Sequence, residues 1–203
     1  MQTPSKRERA TPLPPEDRRQ AIIEAVVPLL IEHGPTATTR QIAEAAGVAE
    51  GTLFRVFPDK RALLFAVAEH LLDPDRGEAT LADAVADAAD LESKVIATIE
   101  QSRTRMEQVL TVMTALRHIA HDEGGGDKPP SPPAFLVEAN RRFLDAIADH
   151  VFAPHADELR VTPQEAALVL RSLVFGMWHP GTSAESRMSA DQLASILLKG
   201  LAR

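Results

Sequence analysis

Apolar residues recur at intervals of three and four positions along most of the chain, and no segment alternates apolar and polar residues. The first pattern is typical of amphipathic helices, whereas alternation in steps of two would indicate half-buried strands. This periodicity predicts an all-α fold of about nine helices. The main helices are expected at about 15–33, 38–46, 50–57, 60–72, 91–120 (one long helix or two abutting ones), 134–153, 163–179 and 190–202.

Capping signals define several of these helix starts. The first helix opens at Pro15, with two acids in its first turn, where proline and negative charge are favourable. Capping boxes, in which two side chains satisfy each other's backbone amides, begin at Thr38, Thr162 and Ser189. Pro28 lies inside the first helix and is expected to kink it.

Composition shifts predict three parts. Residues 1–14 form a basic, proline-rich arm that is expected to be disordered. Residues 15–72 form one helical domain, and a break at Asp73-Pro74-Asp75 separates it from an all-α domain over 73–203. A flexible loop is predicted over 122–133, which is rich in glycine and proline.

Several classes of protein are disfavoured by the composition. The chain has no cysteine, which excludes a disulfide scaffold, a thiolate zinc site and a cysteine nucleophile. The longest unbroken apolar run, residues 25–31, is too short to cross a bilayer. No apolar stretch follows Met1, so no signal peptide is predicted, and the expected location is the cytoplasm. No glycine-rich phosphate loop, dinucleotide fingerprint or serine nucleophile elbow is present, so we expect neither an enzyme nor a cofactor.

The histidines offer a weak case for a metal site. His118 and His121 share one helix face, and His150 and His155 flank another helix end. Two imidazoles can begin a zinc site, but no companion motif accompanies them. We therefore predict no bound metal, and scattered surface histidines explain the pattern equally well.

The charge is distributed unevenly. The net charge is −7, yet residues 1–61 carry nine Lys and Arg against eight Asp and Glu, whereas residues 62–203 carry thirteen against twenty-one. A near-neutral first third attached to an acidic remainder is a weak indication that the first part meets an anion. A solvated basic tail would give the same asymmetry.

The stretch from Thr38 to Leu64 carries the functional signal. Two short helices joined at Gly47 predict a helix-turn-helix over 38–57, in which the second helix enters the major groove of DNA. The residues spaced to pack the two helices together are Ile42, Ala43, Ala46, Val48, Leu53 and Phe57.

The positions between these apolar anchors are expected to face the nucleic acid. Arg55 can bind guanine or a phosphate, and Thr52 can contact a base edge. Glu50 is predicted either to read a cytosine amine or, more simply, to pair with a neighbouring arginine. The complete predicted DNA-binding set is Thr38, Thr39, Arg40, Glu50, Gly51, Thr52, Phe54, Arg55, Val56 and Lys60.

This stretch resembles the TetR family of bacterial transcriptional regulators. The matching positions are Thr38/Thr39, Ile42-Ala43, Ala46-Gly47-Val48, Gly51-Thr52-Leu53, Phe57, Lys60 and Leu63-Leu64. The likeness covers about residues 20–72. Two positions depart from the family pattern: Ala49 replaces the usual serine, which removes a helix-capping oxygen, and Phe54 replaces the usual tyrosine. Each departure is expected to weaken DNA affinity.

The resemblance implies a homodimeric regulator, a repressor that a small molecule releases from a near-palindromic operator. In the family, the last two helices form the dimer, for which the candidates here are Leu170, Val174, Met177, Leu193, Ile196 and Leu197. The ligand binds among the middle helices, where the candidates are Met106, Leu110, Met113, Thr114, Arg117, Phe143, Phe175 and Trp178. Effector binding is implied to shift the helix at 60–72 and so change the spacing of the two DNA-binding heads.

Two other functions are compatible with the same residues. The chain could be an all-α small-molecule-binding protein or enzyme without DNA binding. The helix-turn-helix could also serve protein–protein contact. Two measurements separate these hypotheses. One is a mobility shift with the DNA upstream of the protein's own gene, and the other is the effect of substituting Thr52 or Lys60 on DNA affinity.

Overall fold

The computed structural model describes residues 14–122, 134–177 and 187–201, and within these ranges the fold is all-α with no strand, as predicted. The helices are α1 (Pro15–His33), α2 (Thr39–Ala45), α3 (Glu50–Val56), α4 (Lys60–Leu71), α5 (Pro74–Val85), α6 (Leu91–Asp122), α7 (Ala134–Ile147), α8 (Pro163–Met177) and α9 (Ala190–Leu201). The predicted arm over 1–14 lies outside the described residues except for Pro14, as does the predicted loop over 122–133 except for Asp122.

The helix starts follow from the capping chemistry. The Thr38 hydroxyl accepts from the Gln41 amide, and the Gln41 side chain accepts from the Thr38 amide at 2.8 Å. The same reciprocal pair links Thr162 and Glu165. Asp73 caps α5 by accepting from the third residue of the helix. The backbone of α1 stays helical through Pro28.

Two hydrophobic clusters organise the molecule. The first, which we call the head core, is formed by α1–α4 and by Val112, Ala115 and Leu116 on the second half of α6. The second, which we call the body core, is formed by α5, the first half of α6, α7, α8 and α9. The long helix α6 therefore contributes to both cores, one with each half.

The structure decides between two predicted alternatives at one place and differs from the prediction at another. Residues 91–122 form one continuous helix, the first of the two alternatives predicted for this stretch. The helix predicted to reach about residue 153 ends as an α-helix at Ile147 and continues as one π turn, Ala148–Phe152, and a 3₁₀ turn, Ala153–Glu158. Pro154 follows directly, and because it lacks an amide donor it cannot continue the α-helical hydrogen-bond pattern.

No helix in the described ranges is both long and apolar enough to span a membrane.

Candidate nucleic-acid interface

The helices α2 and α3 are locked together by a tight turn. Gly47 has a φ of +64°, a left-handed conformation that glycine adopts without strain. The amide of Val48 then donates to the Ala43 carbonyl at 3.0 Å. Leu53 and Phe57 are buried in the head core together with Ile42 and Ala43. These contacts fix the angle between the helices, so the outer face of α3 is presented by a rigid support.

The predicted recognition residues divide between exposed and half-buried positions. Gly51, Phe54 and Arg55 are exposed, and the Phe54 ring is 43% accessible in spite of being apolar. Thr52 and Val56 are half-buried. Among the described residues, Arg55 has no hydrogen-bond or ion-pair partner. Its guanidinium is therefore available for a phosphate or a base edge.

The start of α3 lacks the cap that starts α2. Ala49 has the extended backbone of a cap residue, with φ −73° and ψ 148°, close to the φ −84° and ψ 156° of Thr38. No side-chain oxygen is present to accept from the helix, whereas Thr38 does accept one. The departure noted in the sequence therefore leaves one amide of the recognition helix without its usual acceptor.

The polar residues at the start of α2 are engaged with neighbours. Arg40 pairs with Glu44 at 3.0 Å, and this interaction raises the pKa of Arg40. The Thr39 hydroxyl donates weakly to Glu50 at 3.4 Å. Glu50 is thus hydrogen-bonded to a threonine rather than paired with an arginine, although Arg40 is close enough for its pKa to respond to the Glu50 charge.

Lys60 has a structural contact that the sequence did not predict. Its Nζ donates to the backbone carbonyl of Ala37 at 2.5 Å, which ties the start of α4 to the segment leading into α2. Partial burial lowers the pKa of this ammonium. Its proposed phosphate contact stays a prediction, and the observed bond makes it a positioning residue for the helix-turn-helix.

The sequence reasoning also missed a cation on α1. The Arg19 guanidinium lies 5.3 Å from the centre of the Phe57 ring, within the range of a cation–π contact. Phe57 closes the helix-turn-helix, so this contact fastens α1 to its end. No local pattern signals it, because the two residues are far apart in sequence and meet only when the head core is formed.

The candidate ligand residues do not form one cluster. Partly buried positions are Met106, Leu110, Met113 and Phe143, of which Met106 and Phe143 lie against the body core and Met113 against the head core. Thr114 and Arg117 are exposed, Phe175 is 55% exposed, and Trp178 lies outside the described residues. The sequence missed Arg105, which stacks on Phe143 at 5.0 Å.

The candidate dimer residues are mostly inside the protomer. Leu170, Val174, Leu193 and Leu197 are buried in its own body core, and Met177 is partly buried. Helical periodicity identifies the apolar face of a helix but not whether that face packs within its own protomer or against a partner. Ile196, at 55% exposure, is the member of the set that lies at the surface.

The histidines of the described residues lie in separate environments. His150 lies 3.6 Å from Glu78, and His155 lies 2.7 Å from Glu158. His118 is exposed. Within the described ranges no three histidine or carboxylate side chains are grouped as a metal site would require.

Comparisons of sequence connect this geometry with known proteins. Residues 22–67 match the family model for bacterial regulatory proteins of the tetR family, a range that contains α2 and α3. The chain is 27% identical over 207 residues to the HTH-type transcriptional repressor KstR2 of Rhodococcus jostii (strain RHA1), covering 95% of this chain and 98% of KstR2. It is 37% identical over 75 residues to the HTH-type transcriptional repressor LfrR of Mycolicibacterium smegmatis, covering 37% of this chain and 39% of LfrR.

Solved structures share the fold along most of the chain. The TetR regulator SCO0520 of Streptomyces coelicolor superposes with a TM-score of 0.59 at 24% identity, covering 91% of this chain and 98% of that one. LfrR from Mycobacterium smegmatis, in complex with proflavine, superposes with a TM-score of 0.55 at 22% identity, covering 93% of this chain and 98% of that one. With the helix-turn-helix and the family match over residues 22–67 in agreement, the chain carries the DNA-binding domain of the TetR family of bacterial regulatory proteins, and it is similar to a TetR-family repressor along most of its length.

Proposed function

We propose that the protein is a homodimeric transcriptional repressor that binds operator DNA through α3 and leaves it when a small molecule binds the body of the protein. The observation that carries the proposal is the outer face of α3, where the unpaired Arg55 and the exposed Gly51 lie on a helix held rigidly by the head core. Residues 15–72 form the DNA-binding part and residues 73–203 the effector and dimer part. The repressor acts in the cytoplasm, where its operator is.

The charge distribution supports this orientation on DNA. Residues 62–203 carry a net charge of −8, whereas residues 1–61 carry +1. Phosphates repel the acidic part and leave the head as the surface that approaches a duplex. On the head, Arg55 supplies a cation for the groove, and Thr38 and Thr39 lie at the start of α2, where amides and hydroxyls bind phosphate oxygens.

The dimer is proposed to use α8 and α9. Beside the residues buried in the body core, these helices leave Leu168, Val169 and Ile196 exposed. Large apolar side chains on two adjacent helices of one protomer are typical of a surface that a symmetric copy covers. The proposed dimer is expected to present its two α3 helices to one face of a duplex, about one helical turn apart.

Release by an effector requires two arrangements of the dimer, and the effector must prefer the one that fits the operator less well. LfrR, which shares the fold, holds proflavine in its solved complex, and in this chain the middle helices are proposed to hold the effector. Coupling of about 1–3 kcal/mol between the two sites is typical for such switches.

Fluorescence anisotropy with the DNA upstream of the protein's own gene tests the proposal. Arg55→Ala is expected to weaken binding by about tenfold, and the slope of log affinity against log salt is expected to fall by about one if the contact is to phosphate. Arg103→Ala is the matched control, because Arg103 lies on α6 and pairs with Glu100 and Glu107. Unchanged binding by Arg55→Ala and Thr52→Ala would favour a protein-contact role for the helix-turn-helix.

The dimer has its own test. Ile196→Glu places a charge on the proposed interface and is expected to give monomers in light scattering coupled to size-exclusion chromatography. Operator affinity is expected to fall with the loss of the second half-site contact. A dimer that survives both Ile196→Glu and Leu168→Glu would contradict the assignment of this surface.

A further inference from the structure

A polar stripe runs through the apolar body core on α6. Thr98, Ser102 and Arg105 follow one another at intervals of four and three residues, which places them on one face of the helix. Thr98 and Ser102 are the buried polar residues among those described. The Thr98 hydroxyl is satisfied by the Lys94 carbonyl at 2.7 Å. The next two members of the stripe are not satisfied in this way.

Two buried polar atoms of the stripe have no partner among the described residues. They are Oγ of Ser102 and Nη2 of Arg105. Arg171 also has an unpartnered Nε, but its Nη1 donates to Asn140 at 2.7 Å, whereas Arg105 makes no hydrogen bond or ion pair with another described residue. Burial also lowers the pKa of Arg105. Buried charges in proteins are ordinarily paired, and no described carboxylate pairs with this guanidinium.

The position of Arg105 is determined by its neighbours. Its guanidinium lies 5.0 Å from the centre of the Phe143 ring on α7. On the α5 side, a Cβ at Gly77 would lie 2.5 Å from Nη1, so the absence of a side chain at residue 77 leaves room for the guanidinium. Phe143 and Gly77 therefore hold Arg105 at the junction of three helices of the body.

The described carboxylates near Arg105 do not form an ion pair with its guanidinium. Asp73 influences Arg105 only through space, since its own carboxylate caps α5. Asp75 and Glu78 are paired with Arg142 at 2.6 and 3.4 Å. The described acids around α5 are thus engaged elsewhere, and no described residue supplies an anion to the Arg105 guanidinium.

We propose that Arg105 and Ser102 form the anion-binding part of the effector site and that the effector is a monocarboxylate with an apolar tail. One guanidinium and one hydroxyl match a single carboxylate, which can accept from both, whereas a doubly charged phosphate would leave one charge unmatched. Met106 and Phe143 lie against the body core beside the stripe. Methionine adapts its shape readily, so this wall can accommodate an aliphatic tail. The inference rests on the function proposed above.

Isothermal titration with octanoate tests the site, with octanamide as the uncharged analogue and inorganic phosphate as the alternative anion. Octanoate is expected to bind saturably and at least about tenfold more tightly than octanamide, since a charge-assisted hydrogen bond is involved. Arg105→Met is expected to abolish this preference, Ser102→Ala to reduce it and Arg105→Lys to retain part of it. Arg103→Met, the same change on a neighbouring paired arginine, is expected to leave the octanoate affinity within about twofold.

A second readout needs no ligand. Because Nη2 of Arg105 is buried with no partner among the described residues, Arg105→Met is expected to raise the thermal midpoint of the ligand-free protein, whereas a residue retained for folding would lower it when replaced. Octanoate is expected to raise the midpoint of the wild type and not that of Arg105→Met.

Four results would each overturn the inference. The first three are no saturable octanoate binding, equal binding of octanoate and octanamide, and competition by phosphate at the same concentration as octanoate. The fourth is a lowered midpoint for Arg105→Met with octanoate binding intact. Anisotropy on operator DNA without carboxylate separates the two proposals. If ligand-free wild type binds DNA and octanoate fails, only the carboxylate site is wrong, whereas failure to bind DNA contradicts the proposed function.

Discussion

Gly51 at the second position of α3 has no structural reason to be glycine. A Cβ built at this residue meets no atom within 4 Å, and its φ is not positive. Glycine near the start of a helix costs conformational entropy relative to alanine. Under the proposed function, Gly51 instead lets the backbone of the recognition helix approach the major groove. The substitution Gly51→Ala therefore separates stability from DNA affinity.

The expected effects have opposite signs. The free energy of unfolding is expected to rise by about 0.5 kcal/mol, at the low end of the glycine-to-alanine range because the residue lies in the first turn. In thermal unfolding this corresponds to about 1–2 °C for a chain of this size. A methyl group forced against the groove is expected to cost about 1–3 kcal/mol of binding, or about five- to 150-fold in operator affinity.

Urea unfolding and operator anisotropy at one protein concentration measure the two quantities. A fixed concentration is needed because the stability of a dimer depends on it. Gly200→Ala is the matched control, since Gly200 lies on α9 and its added Cβ also meets no atom within 4 Å. It is expected to raise stability without affecting DNA binding. Equal operator affinity of Gly51→Ala and wild type would refute the reasoning about close approach.

Three further predictions concern the head. Ala49→Ser supplies the missing cap of α3, because its backbone geometry already matches that of Thr38; we expect about 1 kcal/mol of added stability in urea unfolding, and no gain would contradict the capping argument. Gly34 has φ +52° and ψ −130°, which non-glycine residues rarely adopt, so Gly34→Ala is expected to cost about 1–3 kcal/mol in the same assay; a smaller loss would show that the turn relaxes. The pKa of His70 is lowered by burial and by Arg76. As the pH falls, His70 therefore takes up its proton at a higher pH in the unfolded chain than in the folded protein, so the free energy of unfolding falls below about pH 6.5. The substitution His70→Gln is expected to flatten that decline between about pH 7 and 5. An unchanged slope would mean that other groups cause the decline.

The head was predictable from sequence because its signals are local. The capping box at Thr38 and the turn at Gly47 depend on residues within a few positions of one another, and the structure shows both. The cap that the Asp59 side chain provides at the start of α4 also depends only on nearby residues, and the structure shows it as well. Each of these features is determined by backbone geometry that short sequence patterns specify.

The body was less predictable because its features depend on which helices meet. Leu170 and Leu193 have the periodicity of an interface, yet they pack inside the protomer. The Arg105 guanidinium is brought to Phe143 and Gly77 by the packing of α5, α6 and α7, residues that are far apart in sequence. An arginine that follows the polar run Ser102-Arg103-Thr104 on a helix has the pattern of a surface residue until that packing is known.

The continuity of α6 provides a physical route between the two proposed sites. Arg105 lies in the body, and Thr111 lies six residues further along the same helix, about 9 Å away at 1.5 Å per residue. The Thr111 methyl group lies within 3.7 Å of where a Cβ of Gly34 would be, in the turn that precedes α2. From that turn, Ala37 is held by Lys60 at the start of α4. If both proposals hold, a displacement of α6 that pairs Arg105 with an anion is expected to reach the segment that positions the recognition helix, because one continuous helix joins the two places. The family resemblance implied that the effector shifts the helix at 60–72; we propose that α6 takes part as well, because its second half is part of the head core.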